Sequence, residues 1–186
     1  MTSNQLDLIA EQVRGCQLCK LHACRLNAVA GGPNPRARIM VIGEGPGRNE
    51  DETGQPFVGM AGRFLDTLFA RAGLSREDVF ITNVVKCRPP ENRAPEPDEV
   101  AACAPYLTAQ IAAVDPLLII LLGGTAAKAV LGLKQIAADH GKLMERDGRN
   151  YFVAYHPAAR FHRKKIAEDF DNLKLVLPSI AGLNVG

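Results

Sequence analysis

Four short apolar runs stand out along the chain, at Ile39–Ile42, Val79–Val85, Leu117–Leu122 and Tyr151–Tyr155. The first is rich in β-branched residues, and the third is apolar at every position. Runs of this length between glycine, proline and polar residues are typical of β-strands, and a strand with no polar position must be covered on both faces. We therefore predict four strands in a buried sheet.

Helical patterns separate these strands. We predict helices at residues 3–14, 61–72, 98–114 and 126–131, and a closing helix that ends near Leu177. Strands that alternate with helices predict an α/β fold, with a mostly parallel sheet and helices on both faces. A chain of 186 residues with 47% hydrophobic residues is long enough for one buried core and short for two, so we expect a single domain over residues 1–186.

Each predicted strand ends in residues that are more than a simple turn. Ligands bind beyond the carboxyl ends of strands in a parallel sheet, so these residues mark a candidate site. They are the glycine loop Gly43–Gly47, Asn83, the turn Gly123–Thr125, and His156. The glycine loop leaves the backbone bare, acidic residues follow at 50–52, and Phe57 comes shortly afterwards. Together they predict a site for a small, polar, planar group.

Composition narrows the function and the compartment. The formal net charge is only +2, so contact with nucleic acid would depend on local basic patches. No apolar run approaches the roughly 20 residues of a membrane span, and the N-terminus lacks the pattern of a signal peptide. We expect a cytoplasmic protein with no membrane partner, in which metal ligation explains the five cysteines better than disulfides do.

The cysteines fall into two distant groups. Cys16 and Cys19 form a C-x2-C pair, while Cys87 follows a strand and Cys103 lies on a predicted helix. Four thiolates could bind one zinc ion or a four-iron cluster, and the spacing does not choose between them. The alternative is that Cys87 and Cys103 are ordinary small buried residues. Cys24 is surplus to a site of four ligands.

Two other classes of protein fit parts of this pattern. One is a nucleotide-binding or electron-transfer module, but a dinucleotide fingerprint would need glycine where Arg48 stands. The other is a nucleic-acid-binding protein with a zinc knuckle and no catalysis. The metal distinguishes this second class, because an iron-sulfur protein is brown and a zinc protein is colourless.

Several stretches resemble one family when they are taken together. They are Gly43–Gly47 with Glu50 and Asp51, Thr53–Gly59, Thr82-Asn83 leading to Cys87–Pro90, and Tyr155–Ala158. In this order, they are similar to family 4 uracil-DNA glycosylases, the iron-sulfur type of bacteria and archaea. The resemblance spans nearly the whole chain. It implies a central four-stranded parallel sheet between helices, a [4Fe-4S] cluster on Cys16, Cys19, Cys87 and Cys103, and excision of uracil from DNA in base excision repair.

Related families differ from this chain at two places. Family 5 relatives typically lack the acid after the first glycine, where this chain has Glu44. The uracil-DNA crosslinking relatives insert an arginine-rich stretch ending in histidine after the second strand, and the loop Arg88–Pro97 has none. The chain departs from the family pattern in the basic segment Arg160–Arg163, which leaves open which residue wedges into the duplex.

The resemblance implies roles for three residues of the predicted site. Phe57 would stack on the flipped base, Asn83 would read the edge of uracil, and His156 would donate a hydrogen bond to uracil O2. Each residue also has a plain structural interpretation. These are a core phenylalanine, an asparagine bonded to its own backbone, and a structural histidine.

The acids of the glycine loop are candidates for the remaining chemistry. We expect Glu44 to lie against the base pocket, and Glu50 or its neighbour Asp51 to activate water. Gly45 would contact the base through its backbone, a role that needs no side chain.

The basic segment after His156 predicts contact with DNA. Phosphates would bind Arg160, Arg163, Lys164 and Lys165, and Phe161 would wedge into the gap left by the flipped base. A solvated helix start is the alternative. We expect uracil-containing DNA, single- or double-stranded, as the partner of a monomeric enzyme, with a sliding clamp as a further possible partner.

Overall fold

A six-stranded sheet forms the centre of the computed structural model, which describes residues 2–183. The strands are β1 (Gly32–Pro33), β2 (Ile39–Gly43), β3 (Val79–Asn83), β4 (Leu118–Leu122), β5 (Lys142–Arg146) and β6 (Arg149–Ala154). The α-helices are α1 (Thr2–Gly15), α2 (Arg48–Thr53), α3 (Met60–Ala72), α4 (Pro97–Val114), α5 (Gly124–Leu131) and α6 (Arg163–Val176). Short 3-10 turns lie at Lys20–Ala23, Arg76–Asp78, Pro90–Asn92, Arg160–His162 and Leu177–Ser179.

The sheet is mixed, so the expectation of a four-stranded, all-parallel sheet is wrong. Its strand order is β1-β3-β2-β4-β6-β5. The inner neighbours β3, β2, β4 and β6 are parallel and correspond to the four predicted strands. Strands β1 and β5 add antiparallel edges. The sequence pattern missed them because β1 has two residues and β5 is a half-exposed strand with charged ends.

Helices cover both faces of the sheet, as predicted. Successive residues of a strand point to opposite faces, so each strand feeds two apolar layers. Met40 and Ile42 face a layer shared with α1, α4 and α5, whereas Ile39 and Val41 face a layer shared with α3 and α6. Every residue of β2, β3 and β4 is buried, which explains why β2 and β4 contain no polar side chain.

The register of the parallel strands aligns their carboxyl ends. Gly43 pairs with Asn83, and Leu122 pairs with Ala154, two residues before His156. The residues that follow the strands therefore converge at one edge of the sheet. No helix in the described part of the chain is long and apolar enough to cross a membrane.

Candidate active site

A cavity of about 230 Å³ opens at the carboxyl edge of the sheet. Five residues predicted for base binding line it: Glu44, Gly45, Phe57, Asn83 and His156. Glu50 also reaches the wall. Sequence reasoning missed Pro89, Asn92 and Arg93, which the proline-rich loop contributes to the opposite side.

Asn83 lines this cavity and has an unsatisfied amide oxygen. Its side chain is buried, and Oδ1 finds no hydrogen-bond partner in residues 2–183. The alternative of an asparagine whose amide oxygen bonds its own backbone is therefore not what the structure contains. Gly43 permits the arrangement, because a Cβ there would lie 2.5 Å from Oδ1 and 2.6 Å from the Phe57 ring. A buried polar atom without a partner costs about 1–3 kcal/mol, so its retention indicates that a ligand completes it.

Phe57 is both a core residue and a wall of the cavity. It has a φ of +53°, and its ring lies 5.9 Å from the His156 ring. Arg76 fixes this left-handed backbone by donating from Nη2 to the Phe57 carbonyl at 2.7 Å. Gly62 is needed behind it, because a Cβ there would lie 1.7 Å from the same carbonyl oxygen. The local fold therefore stores backbone strain to hold this ring at the site.

His156 is set up as a neutral hydrogen-bond donor. Its Nδ1 accepts the Ala158 amide N–H at 3.1 Å, so the proton of the neutral ring is on Nε2. Burial lowers the pKa of His156, and the charge of Glu44 only partly opposes that effect. Gly123 packs against the ring, with a φ of +88° that favours glycine. Sequence reasoning had left the protonation state of His156 open.

Glu44 is held by a residue that sequence reasoning did not assign. Its Oε2 accepts a hydrogen bond from the Thr125 hydroxyl, in the Gly-Gly-Thr turn after β4. No hydrogen bond to Oε1 is found among the described residues, and the side chain lines the cavity near His156. The turn had been noted as unusual, but its partner lies 81 residues away in sequence. One carboxylate oxygen is thus fixed, and the other has no hydrogen-bond partner among the described residues.

Glu50 and Asp51 lie on α2, a six-residue helix in a segment predicted as loop. Glu50 accepts the backbone N–H groups of Val58 at 2.9 Å, Gly59 at 2.8 Å and Gly47 at 3.0 Å. Asp51 Oδ1 accepts those of Leu26 at 2.8 Å and Asn27 at 3.2 Å. Both oxygens of Glu50 thus accept backbone N–H groups, and Asp51 is not among the described residues that line the cavity. The geometry therefore does not favour the expectation that one of them activates water.

The four predicted cysteine ligands come from α4, the segment after β3 and the N-terminal segment, and they face one another. Burial raises the pKa of Cys87, and the thiols of Cys19 and Cys16 add to the effect. Burial also raises the pKa of Cys103 to about 11, with Cys87 and Cys19 contributing. In residues 2–183, no three such side chains are arranged to hold a single metal ion. Exposed Cys24 bonds the Leu21 carbonyl instead.

Hydrogen-bond donors surround these thiols. Arg25 Nη1 donates to Cys87 Sγ at 2.9 Å, and the Leu18 amide donates to Cys16 Sγ at 3.5 Å. Tyr106 bonds Cys16, which raises the tyrosine pKa. Four converging thiols with such donors fit a multi-iron cluster, whose ligands bind separate irons and so stand farther apart than ligands of one ion.

Comparison with known proteins shows the family of this chain. The model of the uracil DNA glycosylase superfamily matches residues 30–177. A type-4 uracil-DNA glycosylase of Saccharolobus solfataricus is 49% identical over 95% of this chain and 88% of its own length. The type-4 enzyme of Archaeoglobus fulgidus is 43% identical over 90% of this chain and 88% of its own. The chain belongs to the type-4 uracil-DNA glycosylase family.

The basic segment of this family member is exposed beside the cavity. Phe161 is fully exposed at the tip of a 3-10 turn, so no packing requirement explains it. Arg160 is also exposed, Arg163 lies 5.1 Å over the Phe64 ring, and Lys164 approaches Glu168 at 3.9 Å. These residues are predicted DNA contacts, and the turn presents them to solvent within a few residues of His156.

Two histidines that sequence reasoning left unassigned support the strand end before His156. The His140 and His162 rings lie 4.4 Å and 4.6 Å from the Tyr155 ring. Buried Asp169 bonds His140 Nδ1 at 2.7 Å and accepts the Tyr155 amide N–H at 2.9 Å. Sequence spacing gave no signal for this group, because the bonds join α6 to β6 and to the segment before β5.

Proposed function

We propose that the protein hydrolyses the N-glycosidic bond of deoxyuridine in DNA, releasing uracil and leaving an abasic site for base excision repair. The observation that carries the proposal is the orphaned Oδ1 of Asn83. Uracil offers the missing donor at N3–H. Membership of the type-4 family, whose members are named for uracil in DNA, supports the same substrate.

Asn83 reads the base by its hydrogen-bond pattern. Its Oδ1 accepts from uracil N3–H while its amide nitrogen donates to O4. Cytosine has an acceptor at N3 and a donor at position 4. The Asn83 oxygen would therefore face an acceptor, and its amide nitrogen would face a donor. In a buried pocket that mismatch leaves polar groups unpaired, which rejects cytosine more strongly than its shape would.

His156 stabilises the departing base. As the bond between C1′ and N1 breaks, negative charge grows on the ring and on O2 of uracil. The Nε2–H of neutral His156 donates to O2, and this hydrogen bond strengthens as the charge develops. A neutral donor need not lose a proton, so the base leaves as an anion and takes its proton from solvent.

Glu44 directs the attacking water. Its side chain lines the cavity and Thr125 holds only Oε2, so the carboxylate can accept a water proton and support positive charge on the sugar. The water oxygen bonds to C1′, and its proton passes through Glu44 to solvent. This assignment gives Glu44 the role first expected for Glu50 or Asp51, because both Glu50 oxygens accept backbone N–H groups and Asp51 is not among the described residues that line the cavity.

Phe57 and Gly45 complete the pocket. The flipped base stacks on the Phe57 ring at the cavity wall, where Arg76 and Gly62 fix the position of the ring. Gly45 contacts the base through its backbone. A Cβ there would lie 2.8 Å from a Val85 methyl group, so the close approach of this loop also requires glycine.

A [4Fe-4S] cluster on Cys16, Cys19, Cys87 and Cys103 belongs to the same proposal. These four thiolates would hold the cluster, and their ligation would tie the N-terminal segment to the loop that ends near the cavity. Arg93 of that loop bonds Glu99 at 2.6 Å, and Lys20 bonds Glu96 at 2.5 Å. The Lys20–Glu96 pair connects the same two segments, and the Arg93–Glu99 pair holds the loop against the start of α4.

The DNA partner is proposed to lie across the basic turn. Arg160, Arg163 and Lys164 contact phosphates, and Phe161 fills the gap left by the flipped nucleotide. A cytoplasmic location, a single domain over residues 1–186, the monomeric state and a sliding-clamp partner stay predictions.

Cleavage of a labelled oligonucleotide with one uracil tests the function directly. Strands with thymine or cytosine at the same position are the controls, and alkali then reveals abasic sites. We expect cleavage only at uracil, and its loss in Asn83→Ala and His156→Ala. Absence of cleavage by brown, iron-loaded protein would contradict the proposal and favour a binding module.

A further inference from the structure

Lys86 is a fully buried cation with no described role in the reaction. Its side chain is among the largest buried groups of the molecule. Nζ donates to the Thr82 hydroxyl at 2.7 Å, to the Asn83 carbonyl at 2.6 Å and to Gln110 Oε1 at 2.7 Å. No carboxylate pairs with it among residues 2–183. A charge buried without an ion pair is costly, and its presence therefore requires an explanation.

The three partners match the ammonium group one for one. The ammonium form has three N–H donors and meets three oxygen acceptors. Gln110 is oriented for this contact, because its Nε2 donates to the Ala30 carbonyl and leaves Oε1 facing Lys86. Loss of the cation would remove the hydrogen bond to the Asn83 carbonyl, whereas the Thr82 hydroxyl and Gln110 Oε1 would still bond each other at 3.1 Å.

The position of Lys86 links two parts of the molecule. It lies three residues after Asn83 and immediately before Cys87. Its carbonyl accepts the Val29 amide at 2.7 Å, and its backbone amide faces the Cys103 thiol. Gln110 lies on α4, the helix that carries Cys103. The backbone of Lys86 is thus anchored beside the cysteines, while its side chain reaches back under the cavity.

We propose that Lys86 is a positioning residue that aims Asn83 at the base and connects its orientation to the cysteine site. The Oδ1 atom of Asn83 has no protein partner, so the direction of the amide depends on its own backbone. Lys86 holds that backbone at the carbonyl, just beyond the end of β3. This inference rests on the proposed function and extends it from the residue that reads uracil to the group that orients it.

The test compares uracil affinity with general DNA affinity in Lys86→Met. The probe is an oligonucleotide with 2′-fluoro-deoxyuridine, whose fluorine slows cleavage, and the reference is the same strand with thymidine. Iron content and the melting temperature are measured alongside. We expect at least about a tenfold loss of affinity for the uracil strand, with affinity for the reference strand within about twofold of wild type.

Thr82→Val is the matched control, because it removes one acceptor of Lys86 and leaves the Asn83 carbonyl in place. We expect its preference for uracil to stay within about twofold of wild type. The inference is overturned if Lys86→Met retains the uracil preference, if both strands lose affinity equally, or if Thr82→Val loses the preference to the same extent.

A second variant tests the positioning role of Lys86 if Lys86→Met does not fold. Gln110→Glu places a carboxylate on the ammonium and draws it away from the Asn83 carbonyl. We expect a several-fold loss of uracil preference with normal iron content, and an unchanged preference would overturn the inference. A wild-type protein that neither cleaves nor prefers uracil would instead refute the proposed function, which separates the two failures.

Discussion

The cavity and helix α2 use the same kinds of polar groups in opposite ways. In the cavity, Asn83 Oδ1 has no partner and Glu44 keeps one oxygen free. On α2, Glu50 accepts three backbone amides and Asp51 accepts two. The carboxylates of α2 bind backbone amides and hold neighbouring loops in place, whereas the polar atoms of the cavity stay available to a ligand.

This difference teaches that proximity in sequence does not decide which acid is catalytic. Glu44 and Glu50 lie close together in the sequence, one in the glycine loop and one on α2, and both reach the cavity wall. Only the accounting of their hydrogen bonds separates them, because a carboxylate with both oxygens engaged by amides cannot accept a proton from water without losing those bonds.

The largest expected effect concerns His156, the proposed donor in the cavity. In His156→Ala, we expect the single-turnover rate of uracil release to fall about 10²–10³-fold, because a donor to a developing anion is lost. Affinity for a uracil strand and the melting temperature would change little. A rate within tenfold of wild type in the folded variant would show that the anion is stabilised elsewhere.

The next prediction compares the effects of substituting Glu44 and Glu50 on rate and on stability. In Glu44→Gln, we expect about a 10²-fold loss of single-turnover rate with an almost unchanged melting temperature, because a proton acceptor is lost. In Glu50→Gln, we expect the free energy of unfolding to fall by about 1–3 kcal/mol with a smaller loss of rate, because an amide group cannot accept all three backbone N–H groups. Rate and thermal melting are measured on both variants. The opposite outcome would restore the first expectation, in which Glu50 activates water.

A third prediction concerns pH. The pKa of His156 lies below its ordinary value of about 6.5, and the neutral ring is the active form. The single-turnover rate is therefore expected to stay constant from pH 8 to about 6.5 and to fall only on further acidification, as the ring gains a proton. His156→Ala would lose this acidic limb. A rate that rises as the pH falls would indicate a protonated donor and contradict the account.

The smallest effect concerns the basic turn. In Arg160→Gln, we expect a loss of DNA affinity of a few fold for all strands, and a decrease of about one in the slope of log affinity against log salt. The matched control is Lys174→Gln, an exposed cation in the last turn of α6. Equal effects from both variants would show that the turn has no special contact with phosphate.

The sequence sufficed for the centre of the fold. The parallel strands β2, β3, β4 and β6 were predicted because buried strands have continuous apolar runs that polar edge strands lack. Edge strand β5 has charged residues at both ends, and α2 is a short acidic helix whose Glu50 and Asp51 side chains point inward. A prediction based on hydrophobic periodicity therefore assigns both segments to loops.

The candidate site was only partly predictable. Strand ends and spacing located Asn83, His156, Phe57 and Glu44, because parallel strands bring their carboxyl ends together. Thr125, Asp169 and Lys86 act through contacts that the sequence pattern does not reveal, and Lys86 looked like an ordinary polar residue near a strand end. The roles of Glu44 and Glu50 could not be separated either, since hydrogen-bond accounting requires coordinates.

The central claim is that the unpaired Oδ1 of Asn83 accepts a hydrogen bond from uracil N3–H. The nucleoside N3-methyldeoxyuridine tests this claim most directly. The methyl group removes the N3–H donor that Oδ1 is proposed to accept. Single-turnover cleavage of matched strands with deoxyuridine and N3-methyldeoxyuridine would be measured for wild type and Asn83→Ala. We predict that wild type cleaves the unmethylated strand at least about 10²-fold faster, and that the ratio approaches one in Asn83→Ala, because a small side chain neither needs the donor nor excludes the methyl group. An equally large ratio in both proteins would contradict the account.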